Sequence, residues 1–91
     1  MDLQELRRQI DAVDDELIRL FYRRLDIAAE IAEYKRRHGL PVYDPERERQ
    51  KLQDLSHKAK EGHEAHISAL FSLLFEISRA EQEKILNSEV R

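Results

Sequence analysis

The sequence contains no cysteine, so neither a disulfide framework nor thiolate chemistry is open to it, and nothing demands an oxidising compartment. Glycine and proline are scarce, two of each in 91 residues, which leaves few points where a helix must stop. No apolar run approaches the roughly 20 residues of a membrane span. The opening stretch MDLQELRRQIDAVDDEL is acidic and amphipathic, without the basic start and apolar core of a signal peptide. A soluble, cytoplasmic protein is the expectation. Charge of one sign is lacking too: 16 Lys and Arg against 19 Asp and Glu give a net charge of -3, a mixed surface rather than a nucleic-acid footprint. Strand-like alternation, internal repeats and low-complexity segments are also missing.

What is present is a heptad seam. Alternate steps of three and four from Leu3 reach Leu6, Ile10, Val13, Leu17, Leu20, Arg24, Ile27, Ile31 and Tyr34, and nine of these ten positions are apolar. That is one long helix with a stripe meant for burial. Gly39 and Pro41 end it, after Lys35, Arg36, Arg37 and His38 in a last turn whose dipole suits cations. A helix from about Asp2 to His38 is roughly 55 Å long, more than a chain of this size can cover. The seam therefore predicts a partner chain, most simply a symmetric dimer.

Leu40 to Tyr43 form a short extended connector. Asp44 can cap a second helix, with Pro45 at its first position and Glu46 at its positive end; this helix is expected to run to about Lys60 and stop near Gly62. A third begins at Glu64 or Ala65 and continues past Ile85, with Ile67, Leu70, Phe71, Leu74, Phe75 and Ile77 as its apolar face. Asn87 to Arg91 are polar and expected to fray. The expected fold class is all-α, with three helices per chain.

The informative residues are polar ones on apolar lines. Arg24 cannot shed its charge, and a charge in a seam needs a partner or an anionic ligand. Lys35, eleven residues on, returns to within about 20° of Arg24 and roughly 16 Å further along. With small Ala28 and Ile31 between them, the two cations can cradle a small anion; alternatively, both snorkel to water. On the third helix the stripe through Ile67, Phe71 and Leu74 continues at Ser78 and Gln82, one turn apart. These two either fix helix register by a hydrogen bond or complete the pocket. Asp44, Arg47 and Glu48 place two acceptors and a cation at a helix start, equally readable as a cap and an exposed ion pair. Arg7 lies about 25 Å from Arg24 and about 42 Å from Lys35 along the helix, so a straight helix cannot bring it to the same ligand; it either serves a pocket on a partner chain whose long helix runs antiparallel or is an ordinary helix-surface arginine. Arg23 would exchange with Arg24 on a one-residue register error, but the seam and the spacing to Lys35 favour Arg24. His63 and His66 share a helix start, whereas His38 and His57 have no evident geometry with them; no metal site is expected.

Read in order, Leu6-Arg7-x-x-Ile10-Asp11-x-x-Asp14-x-x-Leu17, then Arg24, Lys35, the run Gly39-Leu40-Pro41-Val42-x-Asp44-x-x-Arg47-Glu48, and Ser78-x-x-x-Gln82 resemble the all-helical chorismate mutases. The resemblance covers nearly the whole chain, so residues 1–91 are expected to be one mutase domain. It implies an intertwined helical homodimer whose long first helix spans both halves, with Arg7 contributed to the partner's site. It also implies the Claisen rearrangement of chorismate to prephenate, on the way to phenylalanine and tyrosine, with no cofactor. Arg24 and Arg7 would clamp the substrate carboxylates, supported by Arg47 and Ser78. Asp44 and Glu48 would orient toward the ring hydroxyl, and Lys35 and Gln82 would donate to the ether oxygen. The alternatives are an isochorismate-pyruvate lyase of the same fold and a non-catalytic helical dimerisation or regulatory module.

Overall fold

The structure, a computed structural model, describes residues 2–88. It consists of α1 (Leu3–His38), α2 (Pro45–Lys58) and α3 (Glu64–Ser88), and none of these helices is long and apolar enough to cross a membrane. Each boundary has a local cause. Asp2 caps α1, its Oδ1 accepting the Glu5 N–H at 2.8 Å. At the other end Gly39 sits at φ 65°, the left-handed region that side chains resist. The Leu40 N–H bonds the Lys35 carbonyl at 2.9 Å and the Gly39 N–H bonds that of Arg36 at 3.4 Å, the paired closure of a Schellman motif. The turn reverses the chain so that Val42 is buried close to the end of α1.

Asp44 caps α2 as expected, accepting the Arg47 N–H at 3.0 Å, with Pro45 in the first helical position. The helix ends at Lys58, two residues before the expected Lys60. Lys60 is needed elsewhere: its carbonyl accepts the His63 N–H at 2.9 Å in the turn that leads into α3. Asn87 and Ser88, expected to fray, are helical, and the Ser88 hydroxyl donates to the Ile85 carbonyl at 2.8 Å. The rest of that expected frayed tail, 89–91, lies outside the described residues.

α3 packs against both α1 and α2, which do not pack against each other. On α1 the buried residues are Ala28 and Ala32, one turn apart and 3% and 0% exposed; two small side chains there let a neighbouring helix come near. Phe75 of α3 is buried with them. By contrast residues 6–20 of α1 are all exposed. The seam positions Leu3, Leu6, Ile10, Val13, Leu17 and Leu20 stand 47–61% exposed. The radius of gyration, 16.7 Å, exceeds the about 12 Å of a compact chain of this length. The later seam positions Ile27, Ile31 and Tyr34 stand 43–53% exposed as well, so one chain leaves its own seam uncovered along α1 while burying the neighbouring Ala28 and Ala32.

A Cβ at Gly39 would meet nothing within 4 Å, so a substitution there isolates the backbone term. Gly39→Ala is expected to lower stability by about 1–2 kcal/mol, with Gly39→Asn losing less; urea unfolding at fixed protein concentration checks both.

Candidate active site

Where the three helices converge they enclose a cavity of about 500 Å³. From α1 it is lined by Arg24, Ala28, Ile31 and Lys35, the face that helical geometry predicts. Both cations are half-buried and border the same space, rather than turning out to water. The Arg24 guanidinium lies 5.6 Å from the centre of the Phe75 ring, a neutral π face that attracts the charge without cancelling it. Lys35 Nζ donates to the Val42 carbonyl at 2.7 Å, which ties the connector to α1 and leaves two of its three N–H groups for a ligand.

From α2 come Asp44, Arg47, Glu48 and Lys51, positions that recur along one helical stripe. The capping role of Asp44 is realised. The alternative of an exposed ion pair within the helix start is not realised for Glu48, which instead pairs with Arg79 of α3. That pairing raises the pKa of the Arg79 guanidinium above its ordinary value, chiefly through the hydrogen bond it donates to the Glu48 carboxylate.

α3 supplies Phe75, Ser78, Arg79 and Gln82. Gln82 is 6% exposed; its Nε2 donates to Ser78 Oγ at 3.1 Å. The bond is internal to α3, so it cannot set the register of α3 against another helix. Gln82 Oε1 is buried with no hydrogen-bond partner, a cost of about 1–3 kcal/mol unless something meets it. A half-turn of the carboxamide exchanges its two ends at little cost, because Ser78 can donate its hydroxyl proton as readily as accept. The free end of Gln82 is then an N–H donor.

Seven of the eight residues singled out in the sequence, Arg24, Lys35, Asp44, Arg47, Glu48, Ser78 and Gln82, therefore line one cavity. Arg7 does not: it is exposed on the far part of α1. Two cavity residues were missed. Lys51 was legible, one turn beyond Arg47 on the stripe that begins at Asp44. Arg79 was not, because its partner is 31 residues away.

Five cationic and two anionic side chains line the cavity, so its chemistry favours a ligand with more than one negative charge. Among the described residues no group of three or more His, Asp or Glu side chains is placed to hold a metal ion. Among the polar side chains of the walls, N–H donors outnumber carboxylates. Such a site binds, orients and stabilises developing negative charge.

Comparison with known proteins agrees in both sequence and shape. Residues 6–83 match the family described as chorismate mutase type II. The chorismate mutase of Methanocaldococcus jannaschii is 33% identical over 86 residues, which span 92% of this chain and 87% of that protein. The T-protein of Haemophilus influenzae is 49% identical over 51 residues, 56% of this chain but only 14% of the T-protein's length. Among solved structures, the chorismate mutase of Helicobacter pylori in complex with prephenate superimposes with a TM-score of 0.85 at 37% identity, over 98% of this chain and 97% of that one. Three helices, a cation-lined cavity between them and a match over residues 6–83 converge on one assignment: this chain belongs to the chorismate mutase type II family.

Proposed function

We propose that residues 1–91 act as a chorismate mutase domain, converting chorismate to prephenate in the cytoplasm as a step toward phenylalanine and tyrosine. The observation that carries this reading is the gathering of Arg24, Lys35, Arg47 and Gln82 around one cavity. In the reaction the ether C–O bond breaks as a C–C bond forms between the enolpyruvyl methylene and the ring. No proton or electron enters or leaves. What the protein must supply is the folded conformer and a response to the negative charge growing on the ether oxygen.

Arg24, supported by Arg47 and Ser78, takes the substrate carboxylates; the planar guanidinium fork suits bidentate pairing. Asp44 and Glu48 face the ring hydroxyl, although Asp44 also spends acceptor capacity on its cap. Lys35 and the turned amide of Gln82 donate to the ether oxygen. A single donor aimed at developing charge is worth about 10²–10³ in rate.

The second half of the proposal is a homodimer. The exposed seam from Leu3 to Leu20 runs into an apolar groove of about 380 Å³ formed by Leu17, Leu20, Phe21, Leu70, Phe71 and Leu74 beside Arg24. A second copy supplies an apolar surface of the same kind, as an isologous contact requires. Two long helices laid antiparallel bring Arg7 of one chain toward the cavity of the other. Arg7 then completes the carboxylate clamp.

The direct test is to incubate the purified protein separately with chorismate and isochorismate and to follow prephenate and pyruvate. Prephenate from chorismate is expected; pyruvate from isochorismate alone would favour a lyase. Because the carboxamide of Gln82 does not titrate, kcat is expected to hold roughly steady from about pH 6 to 8, and a steep loss across that window would remove Gln82 from the ether oxygen. Arg7→Ala and Arg24→Ala, each nearly inactive, are expected to recover about a quarter of wild-type activity after mixing and subunit exchange. Each heterodimer would hold one intact site. No recovery despite demonstrated exchange would place Arg7 outside the shared site.

A further inference from the structure

One ion pair joins the α2 and α3 walls of the cavity. Arg79 Nη1 donates to Glu48 Oε1 across 31 residues of sequence, with the side chains 32% and 24% exposed. Pairs such as Glu5–Arg8 and Glu46–Arg49 are different in kind, three residues apart on one helix and open to solvent. The Arg79 guanidinium also lies 4.9 Å from the centre of the Tyr43 ring, so the connector holds one face of the fork.

The consequence follows from how α2 is held. It packs on α3 and not on α1, so its distance from Arg24 and Lys35 is set through α3 and the connector. Two adjacent connector residues are gripped from opposite sides, the Val42 carbonyl by Lys35 and the Tyr43 ring by Arg79. Glu48 has a competing cation on its own helix, Lys51, three residues on and within ordinary reach for such a pair. Arg79 draws the carboxylate across the cavity wall instead, and takes one oxygen. A carboxylate has about four lone-pair sites, so acceptor capacity remains.

We propose that Arg79, stacked on Tyr43, is a positioning residue that acts through Glu48, fixing one carboxylate oxygen so that the other is aimed at the ring hydroxyl of the substrate. The inference rests on the reading of the cavity as a chorismate site. Nothing requires Arg79 to touch the substrate itself.

The experiment is a kinetic double-mutant cycle in the full chain, with thermal unfolding of each variant alongside. Arg79→Gln is expected to lower kcat/KM for chorismate roughly 10- to 100-fold, mainly in kcat, with unfolding still cooperative. Arg79→Lys keeps the charge without the planar fork and recovers part of the loss. In a Glu48→Gln background, Arg79→Gln is expected to cost no more than about a further twofold. Tyr43→Leu removes the platform at an exposed position and repeats the cycle should Arg79→Gln fold poorly; its smaller loss also vanishes in the Glu48→Gln background. Losses that multiply in the double variants would put Arg79 on the substrate and overturn the proposal, as would wild-type kinetics in Arg79→Gln. A folded wild-type protein that does not turn over chorismate overturns the functional reading itself, whereas an active wild type with an indifferent Arg79 overturns the positioning role alone.

Discussion

The close seating of α3 on α1 at Ala28 and Ala32 is the contact on which the rest of the structure depends. Two alanines in successive turns let the helices approach until Phe75 is buried and Gln82, two turns further along α3, is taken out of solvent. Because α2 packs on α3 and not on α1, the same contact fixes where the second helix stands. A larger side chain at Ala32, which is wholly buried, would push α3 outward and open the cavity on every side at once. Position 28 is doubly constrained, since Ala28 also lines the cavity. Small size there serves both packing and the room left for a ligand.

The cavity concentrates positive charge and leaves that of Arg24 and Lys35 without an ion-pair partner among the described residues. Arg24 faces an aromatic ring, Lys35 a backbone carbonyl, and Arg79 the carboxylate of Glu48. The first two partners hold their cations in place while leaving the full charge available. In a partly desolvated wall such charges act more strongly on an anion than they would in water. The arrangement suits a reaction in which charge shifts within the substrate and no proton changes hands, and Gln82 fits the same logic as a donor that needs no protonation. The proposed dimer adds a further cation, Arg7, at no cost to the packing of a single chain.

The unpartnered end of Gln82 and the exposed seam on α1 belong to different scales of the same incompleteness. One polar atom lacks a hydrogen-bond partner inside the cavity, and a row of large apolar side chains from Leu3 to Leu20 lacks cover outside it. In the proposed function a ligand answers the first and the second copy of the proposed dimer answers the second. Both reside on helices that make their own internal backbone hydrogen bonds, so the local structure stands while the apolar area waits for cover.

Periodicity and punctuation are local properties, and they alone determined the three helices. The seam from Leu3 to Tyr34, the turn at Gly39, the cap at Asp44 and the polar breaks at Arg24, Ser78 and Gln82 were all legible, because a helix converts spacing directly into a shared face. The ends of α2 and α3 were less so: Lys60 leaves its helix to accept a bond from His63, and Asn87 and Ser88 stay helical. Only the tertiary structure decided which faces meet, that Arg24 lies over Phe75, and that Glu48 pairs with Arg79 on α3 rather than with a cation on its own helix. The physical reason is that a contact spanning 31 residues depends on the angle and spacing at which two helices pack, which side chains from both helices set together and no single stretch of sequence contains.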